Sequence, residues 1–328
     1  MTSPAPATQV ALPRVPALGG LYGRGLVASA RLGVTGGARS GKRTLPDVTY
    51  VVDDVRADAD HLTAYQHLLH EPATDALPAG YVHVLAFPVA MALMVRPDFP
   101  LPLLGMVHLA NSVEQRRGLV LGERLAVRAW AQDLRPHRSG TQVDLVTEVA
   151  SGGDVAWRGV STYLAKGVRL PDAPRDDSER PAFTPPVRTG RWELPADVGR
   201  RYAAVSGDRN PIHLSPVTAR ALGFKRAIAH GMYTASRALA DVGTARGDAF
   251  TWSVEFAAPV LLPATPDVRV APLDGGHEFT VWHPRTGRLH LSGKVRRLPP
   301  PPPLTRPHPE RESAIQHTPT RNWITLSP

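Results

Sequence analysis

The chain has no cysteine, no apolar run long enough to cross a bilayer, and no net charge over its central 249 residues, 47–295. Without cysteine there is no disulfide framework, no thiolate nucleophile and no thiolate metal ligand. The longest apolar run, Val84 to Val95, is twelve residues and contains Pro88, too short for a membrane span. The first residues, Met1-Thr2-Ser3-Pro4-Ala5-Pro6, lack a charged n-region leading into an apolar h-region, so no secretory signal is expected. Thirteen histidines are present, but no His-Glu-x-x-His or comparable spacing, and no metal site is expected. A cytoplasmic protein that works without a cofactor is the expectation.

The formal charge of +9 sits at the ends. Residues 1–46 hold six Lys/Arg and no acid, and residues 296–328 hold five Arg against Glu310 and Glu312, so the 27 basic and 27 acidic residues between them cancel. A neutral core offers no electrostatic footprint for nucleic acid. With 328 residues, 42% of them hydrophobic, the chain can bury a large core.

Composition divides it further. Residues 1–45, rich in Gly, Ala, Pro and Arg, read as a flexible basic segment, and 299–328, opening on five prolines, as a Pro-rich tail. Residues 170–186, with five prolines and six charges, read as a linker between halves at 46–169 and 187–298. The halves align at an offset of 141: Ser112-Val113-Glu114 lies over Ser253-Val254-Glu255 and Leu121 over Leu262, the mark of internal duplication. In the same register Phe87-Pro88-Val89-Ala90-Met91 falls over Ile228-Ala229-His230-Gly231-Met232, and each reads as the start of an apolar helix.

Each half reads as helices followed by short strands. In the second, Pro195–Val205 is helical, Ser215 caps a helix with Pro216 at its first position, Gly223 stops it, and a longer helix runs from Gly231 to about Val242. Extended segments follow at 251–257, 267–273, 278–282 and 288–296; the first half has them near 106–115, 124–134, 141–150 and 155–165. This is an α+β pattern in which an antiparallel sheet packs on one main helix.

Ser206-Gly207-Asp208-Arg209-Asn210-Pro211-Ile212-His213, followed by Ile228-Ala229-His230-Gly231-Met232, concentrates a carboxylate, imidazoles and a glycine-opened helix. Two titratable groups can share a water while free N–H groups at a helix start hold negative charge developing on an oxygen. An ordinary turn with a hydrogen-bonded histidine is the plain alternative. Asn210 suits a structural role in the turn; His230 suits either the substrate site or a backbone hydrogen bond. Gly36 to Arg43 imitates a P-loop, but Arg43 stands where Ser/Thr must bind Mg²⁺. Arg116 and Arg117 read as a solvated strand end, with the phosphates of a ligand as the other reading. Met91 to Val95 reads as buried helix, with the lining of a ligand pocket as its alternative.

The segment resembles the MaoC-like, (R)-specific enoyl-CoA hydratase and 3-hydroxyacyl-thioester dehydratase family. The matching residues are Tyr202-Ala203, Ser206-Gly207-Asp208, Asn210-Pro211-Ile212-His213, Ala219, Gly223-Phe224, Ile228 to Met232, Phe256 and Pro259-Val260. The resemblance implies a double hotdog fold, two antiparallel sheets each wrapping a central helix, with the first half a degenerate repeat in which Tyr65 corresponds to Tyr202. It implies catalytic roles for Asp208 and His213, an oxyanion-binding N–H at Gly231, and supporting places for His230 and Asn210. It implies a substrate that is an acyl thioester of coenzyme A or acyl carrier protein, no nucleic-acid partner, and a pseudo-dimer within the chain that can pair further as a homodimer. The family's Pro-x-Gly-Asp turn is altered here to Leu262-Pro263-Ala264-Thr265-Pro266. A hotdog thioesterase, or a non-catalytic thioester-binding subunit, remains the competing expectation.

Overall fold

A computed structural model describes residues 5–25, 44–103, 105–170 and 182–299. The described residues up to Leu298 form one compact unit, built on a single eleven-stranded sheet. The first half supplies β2 (Thr49–Val55), α1 (Ala59–Leu69), α2 (Ala79–Met94), β3 (Met106–Gln115), β4 (Leu125–His137), β5 (Gly140–Ser151) and β6 (Asp154–Lys166). The second supplies β7 (Gly190–Arg191), α3 (Val198–Ser206), α4 (Pro211–Leu214), α5 (Pro216–Ala221), α6 (Gly231–Val242), β8 (Phe250–Phe256), β9 (Asp267–Leu273), β10 (Gly276–Trp282) and β11 (Leu289–Arg297). β1 (Gln9–Ala11) extends the sheet at its outer edge, giving the strand order β1-β2-β4-β5-β6-β3-β8-β11-β10-β9-β7.

The central helices follow from their composition. α2 has no charged residue in sixteen and is buried nearly all round, which only a helix enclosed by the rest of the domain tolerates. Pro88 inside it removes one intrahelical donor. α6 is enclosed in the same way in the second half, with Arg237 and Asp241 paired i,i+4 on its wetter side.

The halves join through antiparallel pairing of β3 with β8, where Ala110 faces Glu255, Ser112 faces Ser253 and Glu114 faces Thr251. An offset of 141 exchanges the first and last of these pairs and leaves the middle one unchanged. The local twofold axis therefore passes between Ser112 and Ser253, the residues on which the sequence repeat was aligned. Other ties bridge the halves: Glu71 and Arg246 form a buried ion pair at 2.8 Å, and Gly80 packs against Ser236 so closely that a Cβ there would meet Ser236 Oγ and Tyr65 Oη.

Two expectations need correction. Residues 5–25 are not a loose basic segment: β1 pairs in parallel with β2, residues 18–25 are helical, and Leu21 is completely buried. The remainder of the segment to residue 43, including the Gly36–Arg43 imitation of a P-loop, lies outside the described residues, as do most of the linker and the Pro-rich tail. Second, Phe87–Met91 lies in the middle of α2, which starts eight residues earlier, at Ala79 after Pro78. The structural counterparts of His230 and Gly231 are thus Pro78 and Ala79, not Val89 and Ala90. Ring packing confirms this register: Tyr65 meets Tyr81 edge-on at 5.3 Å, and Tyr202 meets Tyr233 edge-on at 5.6 Å, each partner being the third residue of its helix. α2 is longer than α6, so one offset cannot serve both helix starts and strands.

Gly199 in α3 sets the height of the short helix α4, because a Cβ would fall on the His213 carbonyl oxygen. Backbone cannot move aside as a side-chain tip can. Gly199→Ala should therefore cost about 1–3 kcal/mol through overpacking, despite alanine's better helix propensity, and thermal denaturation should show a lowered Tm.

Candidate active site

The Asp208 turn is assembled from local hydrogen bonds. α3 ends at Ser206, and Gly207 follows at φ 71°, a left-handed conformation that glycine adopts freely. Ser206 Oγ donates to Tyr202 O at 2.8 Å and accepts the Asp208 N–H at 3.2 Å. Asp208 Oδ1 accepts the Asn210 N–H at 3.1 Å, and Asn210 Oδ1 caps α4 by accepting the Ile212 N–H at 3.4 Å, with Pro211 at the first helical position. Asn210 is thus placed as a turn and cap residue. One turn on, α4 presents His213, which is buried.

His213 Nδ1 lies 2.8 Å from the Ile228 carbonyl. A carbonyl only accepts, so Nδ1 carries the proton and Nε2 keeps its lone pair. His230 stacks on it, ring centroids 3.6 Å apart, and donates from Nε2 to the Asp208 carbonyl at 2.9 Å. This realises the backbone-bonded reading of His230, while the same ring also lines the cavity. His230 is the N-cap of α6, with Gly231 its first residue. The leading N–H groups of a helix have no intrahelical acceptor and sit at the positive end of its dipole. A Cβ on Gly231 would stand 3.2 Å from the Phe256 ring, so glycine keeps this approach free.

These groups open into a cavity of about 810 Å³ lined by both halves. Asp208, His213, His230 and Gly231 lie on its wall with Tyr202 and Phe256; the first half contributes His83, Phe87, Met91, Met94, His108 and Tyr163. Met91 and Met94 are buried residues of α2 as well as cavity lining. Arg116 and Arg117 are not among the lining residues and pair with Glu114 and Glu123 at 2.8 Å each, as a solvated strand end would. Ligand atoms of Asp208, His213 and His230 lie within 4.8 Å of one another, so these three are the described residues best placed to meet one ion.

Burial dominates the electrostatics. It pushes His213 down to about 3, helped by the neighbouring His230 and opposed by Asp208. It lowers His230, and takes His83 to about 4 and His108 to about 3. For Asp208 burial acts upward, but His230, His213, the Tyr22 hydroxyl and the Asn210 N–H together outweigh it and hold the carboxyl below its ordinary value. The resting site is an ionised Asp208 beside unprotonated imidazoles.

The first half's histidines and Tyr22 were not found from sequence. Tyr22 Oη donates to Asp208 Oδ1. Its signal was present: Leu18, Leu21, Tyr22 and Gly25 fall at i, i+3, i+4 and i+7 and are the protected positions of the helical residues 18–25, the stripe of an amphipathic helix. Glycine and arginine masked it. His83 and His108 carry no motif; only folding brings them to the cavity.

Comparison with known proteins bears on about three quarters of the chain. The 3-hydroxyacyl-thioester dehydratase X of Mycobacterium tuberculosis is 39% identical over 255 residues, covering 77% of this chain and 91% of that protein. The chain belongs to the MaoC-like dehydratase family. Residues 176–283 match the family described as MaoC like domain. The crystal structure of HtdX from M. tuberculosis superimposes with a TM-score of 0.68 at 37% identity, covering 76% of this chain and 100% of that one. A MaoC-like dehydratase from Phytophthora capsici shares the fold at 20% identity, with a TM-score of 0.61 over 76% of this chain and 94% of its own. The double hotdog architecture is therefore that of the family. No helix among the described residues is long and apolar enough to cross a membrane.

The depressed imidazoles give stability a pH dependence of definite sign. Unfolded, His83 and His213 take up protons as the pH falls through about 6.5; folded, they stay neutral to about 4 and about 3. Protons therefore favour the unfolded chain, and the stabilisation is whole above pH 6.5 and lost progressively below it. Between pH 7 and pH 5 each should cost about 2 kcal/mol, and Asp208, itself depressed, adds to the loss at lower pH. Thermal melts should show Tm falling by several degrees over that interval; an unchanged Tm would mean that these imidazoles are not buried.

Proposed function

We propose that this member of the family is a hydro-lyase that interconverts trans-2-enoyl and (R)-3-hydroxyacyl thioesters. The observation that carries this is the convergence of Asp208, the lone pair of His213 Nε2 and the N-terminus of α6 on one cavity. Conjugate addition of water requires these three elements. Enolate charge develops on the thioester oxygen as water adds, and the Gly231 N–H and the helix dipole stabilise it there, in a cavity where such donors act more strongly than in water. Asp208 and His213 hold a water facing Cβ; one of them takes a proton as the oxygen bonds to Cβ and the C–C double bond shifts toward C1. The same proton returns to Cα when the enolate collapses, so the elements of water are added and the site regains its starting charge. Dehydration is the reverse. The sequence draws on no cofactor beyond the thioester itself.

The resemblance of the first half to a repeat without Asp-x-Asn-Pro-x-His gives one such site per chain. The apolar residues Phe87, Met91, Met94 and Leu103 lining the cavity suit an acyl chain, while the carrier, coenzyme A or acyl carrier protein, attaches at the thioester end. This is soluble thioester metabolism of the fatty-acid type, which the cytoplasm accommodates.

A chain-length series from crotonyl-CoA to long enoyl-CoA tests the reading. Wild type should form 3-hydroxyacyl product, and Asp208→Asn and His213→Ala should each lower kcat by about 10² to 10⁴ with near wild-type folding by circular dichroism. Equal activity in all three would refute the assigned residues, and free thiol without hydroxyacyl product would place attack at C1 and make the protein a thioesterase. A second expectation concerns pH. With His213 pushed to about 3 and Asp208 also lowered, kcat/KM should be level between pH 6 and 8, and an acid limb centred near 6.5 would assign an ordinary imidazole to the reaction.

A further inference from the structure

Among the described residues ahead of the first repeat, Tyr22 lines the cavity and makes a polar contact there. β1 fastens them to β2, and Leu12 N–H donates to Val51 O at 2.8 Å. The helical residues 18–25 then pass over α2, where Leu21 is buried with Met91 and Ala92 and a Cβ on Gly25 would fall on Leu103. Leu18 closes over the active turn: a Cβ on Gly207 would meet its Cδ1 at 2.7 Å. This packing delivers Tyr22 Oη to Asp208 Oδ1.

Oδ1 thereby has two donors, the Tyr22 hydroxyl and the Asn210 N–H at 3.1 Å. Oδ2 accepts no hydrogen bond among the described residues and lies 3.8 Å from His230 Nε2. Without Tyr22, one backbone contact alone would fix the plane of the carboxylate about the Cβ–Cγ bond. With it, tilting that plane strains two hydrogen bonds, both charge-assisted.

We propose that Tyr22 is a positioning residue for Asp208, occupying Oδ1 so that Oδ2 is the oxygen presented to the reacting water. Burial and the neighbouring carboxylate hold the Tyr22 phenol far above its ordinary value, so it serves as a donor and never as a base. The role of Oδ2 rests on the hydratase reading; the orientation does not. Tyr22 lies outside the matched family residues 176–283, so an N-terminal segment that reads as a tail completes a site built by the other half of the chain.

The test is Tyr22→Phe in the full chain, which keeps the ring and removes the donor. Expected is a fall in kcat of about 10- to 100-fold, the scale of losing alignment, with KM changed by less than about threefold. The acid limb of kcat/KM should move to higher pH, since the carboxyl has lost a donor that favours its ionised form. In an Asp208→Asn background the same substitution should add little. Wild-type kcat and pH profile in Tyr22→Phe, a raised kcat, or a full-sized additional loss in the Asp208→Asn background would each overturn the proposal. Should the wild type hydrate no enoyl thioester, the activity reading fails, and the Asp208 carboxyl resonance, identified against Asp208→Asn by ¹³C NMR titration, decides the positioning role alone. A titration moved to higher pH in Tyr22→Phe supports it; an unmoved one refutes it.

Discussion

The antiparallel pairing of β3 with β8 is the constraint on which the rest depends. It fuses two sheets into one, fixes the twofold axis between Ser112 and Ser253, and sets α2 and α6 on a common core. The cavity is a product of this union. His83, Phe87, Met91 and His108 from one half line the same cavity as Asp208, His213 and Gly231 from the other, and both halves contribute apolar residues to its wall. In two separate chains such a surface would depend on concentration; tethering makes its assembly intramolecular.

Strands and turns were legible because their signals are local. β3 and β9 occur at the residues read from alternation, and α6 begins and ends where Gly231 and Val242 suggested. Ser215 caps α5 through the Thr218 N–H as its chemistry implies. The Asp208–His213 turn was legible for the same reason: Asx turn, N-cap and proline act within five residues. What failed was long-range. The start of α2 was misplaced because an all-apolar helix has no periodicity to mark its end, and Pro88 looks like a helix start though it sits mid-helix. Tyr22 was lost among glycines and arginines, since its partner lies 186 residues away. Likewise His83 and His108 have no meaning until β3 and α2 are brought together.

Burial supplies the chemistry with its resting charges. An imidazole at its ordinary value would be partly protonated in the physiological range, and a site mixing charged and neutral histidines would spend only part of its time ready to accept a proton. Enclosure removes this ambiguity for His213. The carboxylate survives the same enclosure because a phenol and a backbone N–H donate to it in place of lost water. Stability is sacrificed for this arrangement, since every buried imidazole favours the unfolded chain in acid.

Repetition of the fold without repetition of the site has a steric explanation. Both central helices begin with a short segment ahead of a tyrosine at their third position, and both present the same backbone N–H groups and dipole. At α2, however, Ala79, Gly80 and Tyr81 are all buried, and Gly80 is closed off by Ser236 and Tyr65. That helix start is consumed in packing against α6. At Gly231 the neighbouring Phe256 ring stands back far enough to leave the residue partly open to the cavity. A helix dipole stabilises an oxyanion only where an oxygen can reach it, so the decisive difference between the repeats is space as much as charge. The first repeat gave up that space at the front of α2 and contributes the rear of the same helix, Phe87, Met91 and Met94, as the apolar wall of its neighbour's site.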